Sequence, residues 1–255
     1  MRVRSRLAAL VVLLVACAPS AAAATRPAPI VVGLPPLPLS GVVIALDPGH
    51  NGGNASHASQ IATPVWIGTA WKPCNKVGTS TSAGYPEHAF TFDVALRVKA
   101  SLEYFGATVF MTRTTDTGVG PCIDVRGRFG ESVGARLTVS IHADGAPSAN
   151  HGFFVMKPGI VAGWTDDIAT RSSVLAVAMR EGLKDAELAV ANYYATNGLK
   201  TRTDLGTLNW SDVPVVELEL GNMKNAGDAA RMSSRQGRTQ YANGVVNGIR
   251  IYLGR

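Results

Sequence analysis

No two of the chain's three cysteines form a Cys-x-x-Cys pair or neighbour a useful histidine, so cysteine is a poor candidate for a soft metal ligand here. There is no Gly-x-Ser-x-Gly elbow, which removes the usual signature of a serine hydrolase. Gly118-Val119-Gly120-Pro121 lacks the Lys-Ser/Thr that completes a phosphate-cradling loop. Aromatics make up 7% of residues, and no basic stripe carries them interleaved, so nucleic acid is not an expected partner. No apolar run approaches the ~20 residues of a membrane-spanning helix, so no transmembrane segment is expected. Internal repeats and a second domain with its own linker are also absent from the pattern.

The N-terminus carries a different signal. Arg2, Arg4 and Arg6 precede an apolar stretch from Leu7 to Val15, and Ala21-Ala22-Ala23-Ala24 supplies small residues where a signal peptidase would cut. Residues 1–24 therefore read as the signal peptide of a protein secreted to the periplasm or cell wall. Leu14-Val15-Ala16-Cys17 also reads as a lipobox that would anchor the chain through Cys17. Plain secretion is preferred because the alanine run offers an equally good cut. Losing this leader removes three arginines and no acidic residue, taking the formal charge from +6 to +3. That mild positive balance fits an acidic extracellular partner such as a cell-wall polymer. With Cys17 set aside, Cys74 and Cys122 pair without remainder, as expected in an oxidising compartment. A bridge across that interval is worth ~4 kcal/mol on a chain-entropy estimate.

Residues 25–40, with five prolines, form an extended lead-in, and 41–255 are long enough for one domain with a substantial core. Gly41–Leu46 opens the fold as a strand. Asn51–Gly84 is rich in Gly, Ser, Thr and Asn, lacks sustained periodicity and exceeds ordinary loop length. Pro86 starts a helix in which Phe90, Val94, Val98, Leu102 and Phe105 recur at helical spacing until Gly106 stops it. Further strands are expected at 107–112, 137–141, 152–156, 198–203 (an edge) and 213–220 (central). Helices are expected at 124–133, 166–184 and 236–252. This alternation predicts a three-layer α/β domain.

Polar residues follow the apolar runs in a suggestive order. Gly41–Leu46 leads into Asp47-Pro48-Gly49-His50, and Leu137–Ile141 leads into His142-Ala143-Asp144. Strands that end together place such residues on one rim of a sheet. Two histidines there with carboxylates suit a hydrolytic zinc ion, which takes three protein ligands and keeps a position for water. Glu87 and His88 compete for the third place. Adjacent helical residues point ~100° apart, so only one can aim at the metal. Glu217 and Glu219 share a strand face, and Glu219, nearer the strand end, is better placed to move a proton. Glu217 is left to meet a basic residue or solvent. Asp144 either accepts from an imidazole or shapes its turn, and His57 and His151 read as surface residues.

Together these residues resemble a known family. Asp47-Pro48-Gly49-His50, Glu87, Ser140–Asp144 and Val216–Asn222 are similar, in order, to the motifs of zinc-dependent N-acetylmuramoyl-L-alanine amidases of the Amidase_3 type. Gly84–His88 and Glu219–Asn225 most resemble the small secreted mycobacterial and actinobacterial members. The resemblance runs from about Val42 to the C-terminus. It implies a single domain with a six-stranded mixed sheet flanked by helices, Zn2+ held by His50, Glu87 and His142, and Glu219 as the catalytic glutamate. The implied reaction is hydrolysis of the amide between N-acetylmuramic acid and L-alanine in peptidoglycan. The chain is expected to act as a monomer. A zinc peptidase cutting within the stem peptide and a non-catalytic wall-binding protein of the same fold are the alternatives. Two departures from the family stand out. First, 37 positions separate His50 from Glu87, which predicts a stapled hairpin at the groove rim. Second, Glu217 stands where an apolar residue is usual.

Overall fold

The computed structural model describes residues 36–255. The leader, the Cys17 alternative and the lead-in as far as residue 35 lie outside the described residues. The opening strand β1 (Val43–Pro48) is buried at five of six positions, the near-continuous burial of a strand covered on both faces. A 3-10 turn (Ala55–His57), α1 (Ala58–Ile61) and an antiparallel hairpin of β2 (Pro64–Trp66) and β3 (Trp71–Pro73) occupy the long polar segment. The expected stapled hairpin is thus present, with Cys74 directly after β3 and bonded to Cys122.

The chain continues through α2 (Glu87–Tyr104), β4 (Thr108–Met111), α3 (Ile123–Ser132), β5 (Thr138–Asp144) and β6 (Phe154–Pro158). Then come α4 (Ala169–Asp185), β7 (Leu199–Arg202), α5 (Gly206–Asn209), β8 (Val215–Asn222), α6 (Ala226–Ser233) and α7 (Arg235–Leu253). The main sheet has the order β4-β1-β5-β8-β6-β7. Strands β4, β1, β5 and β8 run parallel, while β6 is antiparallel to β8 and parallel to β7. The sheet is therefore six-stranded and mixed, with β7 at an edge and β8 interior, as expected.

Helices α2, α4 and α7 pack together over one face. Ile44, Leu46, Val139, Ile141, Val216 and Leu218 meet them there in one apolar cluster, where Phe90 lies edge-on to Tyr241 at 5.5 Å between ring centroids. The opposite face, under α3 and α5, is polar at the row that matters. Asp47, Ser140 and Glu217 are register neighbours across β1, β5 and β8, and His142 pairs with Glu219 one step further on. Neighbouring strands hold such residues side by side, ~4.8 Å apart.

Most element boundaries differ from expectation by one to three residues. Two differences matter. Strand β1 runs through Asp47 and Pro48, so Asp47 is part of the sheet rather than of the turn after it. Helix α6 was not expected. Its start is nevertheless marked in sequence: the Asn225 side chain accepts from the Gly227 and Asp228 backbone N–H groups, and Asp228 sits in the first turn.

Candidate metal centre and its groove

The turn after β1 places His50 in the left-handed region at φ 58°, a conformation rare for a side chain of this size. Its Nδ1 lies 2.9 Å from the Lys76 carbonyl oxygen. A carbonyl can only accept, so Nδ1 carries a hydrogen, and Nε2 is the nitrogen turned towards the other two side chains. That Nε2 is 3.1 Å from Glu87 Oε1. His142, near the end of β5, presents Nδ1 at 3.0 Å from the same oxygen. The two imidazoles stand nearly perpendicular, with centroids 4.8 Å apart.

Glu87 is the first residue of α2, where unsatisfied N–H groups favour an anion. It accepts from the Thr79 backbone N–H at 2.9 Å and from that of Ala143 at 3.1 Å. Burial alone would raise its pKa, but the His50 charge and hydrogen bonds with His142 and His50 hold it well below the usual carboxylate range. The same contacts act inversely on His142. Burial would lower its pKa, yet the hydrogen bond to Glu87 and the charges of Glu217, Glu87 and Glu219 push it up to about 10.

One donor atom from each of His50, Glu87 and His142 lies within 4.8 Å of the other two. The backbone is close enough to them that side chains are excluded nearby. A Cβ on Gly49 would meet the His142 ring at 2.2 Å, and one on Gly78 would meet Glu87 Oε2 and His50 at 2.9 Å. Two imidazoles and one carboxylate, closely cradled, form the donor set that suits zinc. His88, the competitor for the third place, turns instead to Asp116, 2.7 Å from Nδ1.

Glu219 stands beside His142, and its Oε2 is buried without a hydrogen-bond partner among the described residues. Burial, reinforced by the charges of Glu87, Glu217 and Asp144 and opposed by that of His142, holds its carboxyl well above the usual range. Among the described residues Glu217 forms no ion pair with a basic residue, and it is closed off from open solvent, contrary to expectation. It is buried and accepts from the Thr207 hydroxyl on α5, because α5 covers that part of the sheet. Asp144 shapes its turn through the Gly145 N–H and accepts from the Tyr193 hydroxyl at 2.8 Å. His57 and His151 are exposed, as expected.

Behind the histidines lie two buried arginines that sequence reasoning did not single out. Arg126 pairs with Asp47 at 2.7 Å and donates to the carbonyls of Pro48, His50 and Pro121. Arg113 donates to the carbonyls of Pro48, Gly49 and His88. Both therefore hold the turn that presents His50. Asp47 within the Asp-Pro-Gly-His run hinted at a buried counter-charge, but nothing in the helical pattern at 124–133 identified Arg126 as its partner. Burial would raise the Asp47 pKa, but Arg126 and the hydroxyls of Thr112 and Ser140 keep it below the usual value.

These side chains form the floor of a groove of about 540 Å³. Lys72, Pro73 and residues 75–79 of the stapled segment wall one side, and Arg202, Asp204 and Leu205 line another part.

Residues 44–250 match the family model described as N-acetylmuramoyl-L-alanine amidase. The chain is 40% identical over 222 residues to the N-acetylmuramoyl-L-alanine amidase Rv3717 of Mycobacterium tuberculosis, covering 86% of this chain and 89% of that one. The crystal structure of the N-acetylmuramyl-L-alanine amidase Ami1 from Mycobacterium smegmatis aligns with a TM-score of 0.80 at 39% identity, covering 85% of this chain and 98% of that one. The apo form of Ami1 from Mycobacterium abscessus gives 0.80 at 42% identity, covering 84% and 100%.

Proposed function

Because the chain belongs to the Amidase_3 family and is an N-acetylmuramoyl-L-alanine amidase of peptidoglycan, we propose that it works with a zinc ion held by His50, Glu87 and His142 and with Glu219 as the proton carrier. The observation that supports this most directly is the convergence of three donor atoms within 4.8 Å on the groove floor. Beside them, on the neighbouring strand, lies the unpartnered oxygen of Glu219.

Zinc bound there supplies Lewis acidity to the scissile carbonyl and to water, whose pKa falls towards ~7. The protein's own groups do the rest. Glu219 takes the proton of the attacking water and returns it to the departing alanine nitrogen, so one carboxylate serves as base and then as acid. Its raised proton affinity favours holding that proton between the two steps. The Lys76 carbonyl fixes the His50 tautomer, and backbone N–H groups fix Glu87, so the donors are oriented before any ligand arrives. Arg126 and Arg113 keep the His50 turn in place.

We also propose that residues 1–24 export the chain, that 25–40 are a lead-in, and that 41–255 form the catalytic domain, acting as a monomer on the cell wall. No helix among the described residues is long and apolar enough to cross a membrane. The reaction is tested by digesting defined muropeptides and identifying products by mass spectrometry. A lactyl-bearing muramic sugar and a peptide with a new L-alanine N-terminus are expected; a cut inside the stem peptide would overturn the assignment. Metal analysis of the purified chain, with zinc at about one per molecule expected, tests the ligand set.

A further inference from the structure

All four tryptophans of the chain gather at the β2–β3 hairpin. Trp66 and Trp71 are cross-strand partners with ring centroids 5.6 Å apart. Trp210, just after α5, donates its indole N–H to the Trp66 carbonyl at 2.6 Å. Trp164 lies against Gly68 in the hairpin turn and edge-on to Trp210, with centroids 4.3 Å apart. Arg128 covers the Trp210 ring at 3.6 Å.

A hairpin with three-residue strands is marginal alone, and this one is tied down repeatedly. Thr69 donates to the Thr203 carbonyl, Asn209 to that of Ile67, and Cys74 bonds Cys122. Trp164 and Trp210 are used in this bracing. Trp66 joins it through its carbonyl, but the rings of Trp66 and Trp71 keep surface free of it, the residues remaining 38% and 67% exposed. Their mutual contact adds to hairpin stability, but their outward surfaces add nothing to it. A rigid mount bearing two exposed indoles is the form that recognition takes when little ordering entropy is left to lose.

The position identifies the occupant. Strand alternation puts Trp66, Trp71 and Pro73 on one face of the hairpin. Pro73, on that same face, lines the groove that holds His50, Glu87 and His142. The aromatic face is thus continuous with the catalytic groove. The amide that is cut joins a peptide to a sugar within a polysaccharide, so the glycan must leave the groove over its rim. A pyranose ring offers an apolar face of C–H groups edged by hydroxyls, which matches an indole with its apolar body and polar tip.

We propose that Trp66 and Trp71 form a glycan-strand subsite that stacks an N-acetylhexosamine neighbouring the muramic acid whose amide is cut. The inference rests on the amidase reading for its substrate, but it is tested separately. Calorimetric titration of the full chain with a linear β-1,4-linked N-acetylglucosamine hexamer, which carries no peptide, is expected to show saturable binding. Trp71→Ala should weaken that binding about tenfold, with Trp71→Tyr in between. In hydrolysis, the rate on long glycan strands relative to that on a single disaccharide-peptide should fall about tenfold in Trp71→Ala, through KM. A thermal melt identifies an alanine variant that has failed to fold, in which case Trp71→Tyr is scored alone. Absence of saturable hexamer binding, binding indifferent to Trp71, or equal losses on long and short substrates would each overturn the proposal. If the wild-type chain cut neither substrate, the amidase reading would fail, while the hexamer titration would still decide this one.

Discussion

His142 and Glu219 are register partners on β5 and β8, and they share the sheet face that forms the groove floor. One imidazole belongs to the cluster of three candidate metal donors, while the neighbouring carboxylate keeps an oxygen free of any partner among the described residues. Glu219→Gln preserves the shape and removes the carboxylate proposed to accept the proton. Turnover should fall by about 10²–10⁴ with zinc content unchanged. Paired activity and metal assays check this, and loss of zinc together with activity would instead assign Glu219 to the ligand set.

Arg126→Met leaves Asp47 buried, charged and without its cation, a change that typically costs about 3–5 kcal/mol. Denaturant unfolding should register that loss. Adding Asp47→Asn should restore part of it, because the stranded charge is then gone. No recovery in the double variant would mean that Arg126 acts mainly through the carbonyls of the His50 turn.

In chelator-treated protein the proton on His142 carries stability. Its folded pKa is raised to about 10 above an unfolded value near 6.5, so the contribution is complete below about pH 6.5 and is lost as pH rises through about 10. The metal-free chain should therefore melt at a lower temperature at pH 10 than at pH 6. Zinc requires the deprotonated imidazole, so the stabilisation produced by adding it should grow with pH over the same window. Melting curves with and without zinc decide both.

Removing the disulfide with Cys74→Ser and Cys122→Ser frees a loop spanning 48 positions and should cost ~4 kcal/mol on the chain-entropy estimate. Because residues 75–79 wall the groove, KM should rise along with the loss of stability. An unchanged KM would show that the tryptophan and polar ties hold the hairpin without the bridge.

The strands and long helices were legible because burial imposes a period on them. The 3.6-residue repeat of Phe90, Val94, Val98 and Leu102 and the apolar runs before His50 and His142 follow directly from which faces are covered. The two histidines were legible for the same reason, since strand ends define the rim. The third donor was not legible from spacing, and only the family resemblance named Glu87. Glu87 and His88 are adjacent, and only the helix rotation settled by packing sends one to the centre and the other to Asp116. Arg126 escaped notice because an arginine within a helical pattern reads as solvent-facing until its partner is known, and Asp47 lies 79 positions away.

By itself, the sequence determined the α/β class, the stapled segment, the strand-end histidines and, through its motifs, the family. Those properties depend on local periodicity and on short runs of residues. Tertiary structure alone decided that Glu217 is answered by Thr207, that two arginines brace one turn, and that four tryptophans far apart in sequence meet at one hairpin. The physical reason is that such contacts depend on how strands are ordered and how helices are rotated, and no local pattern encodes either.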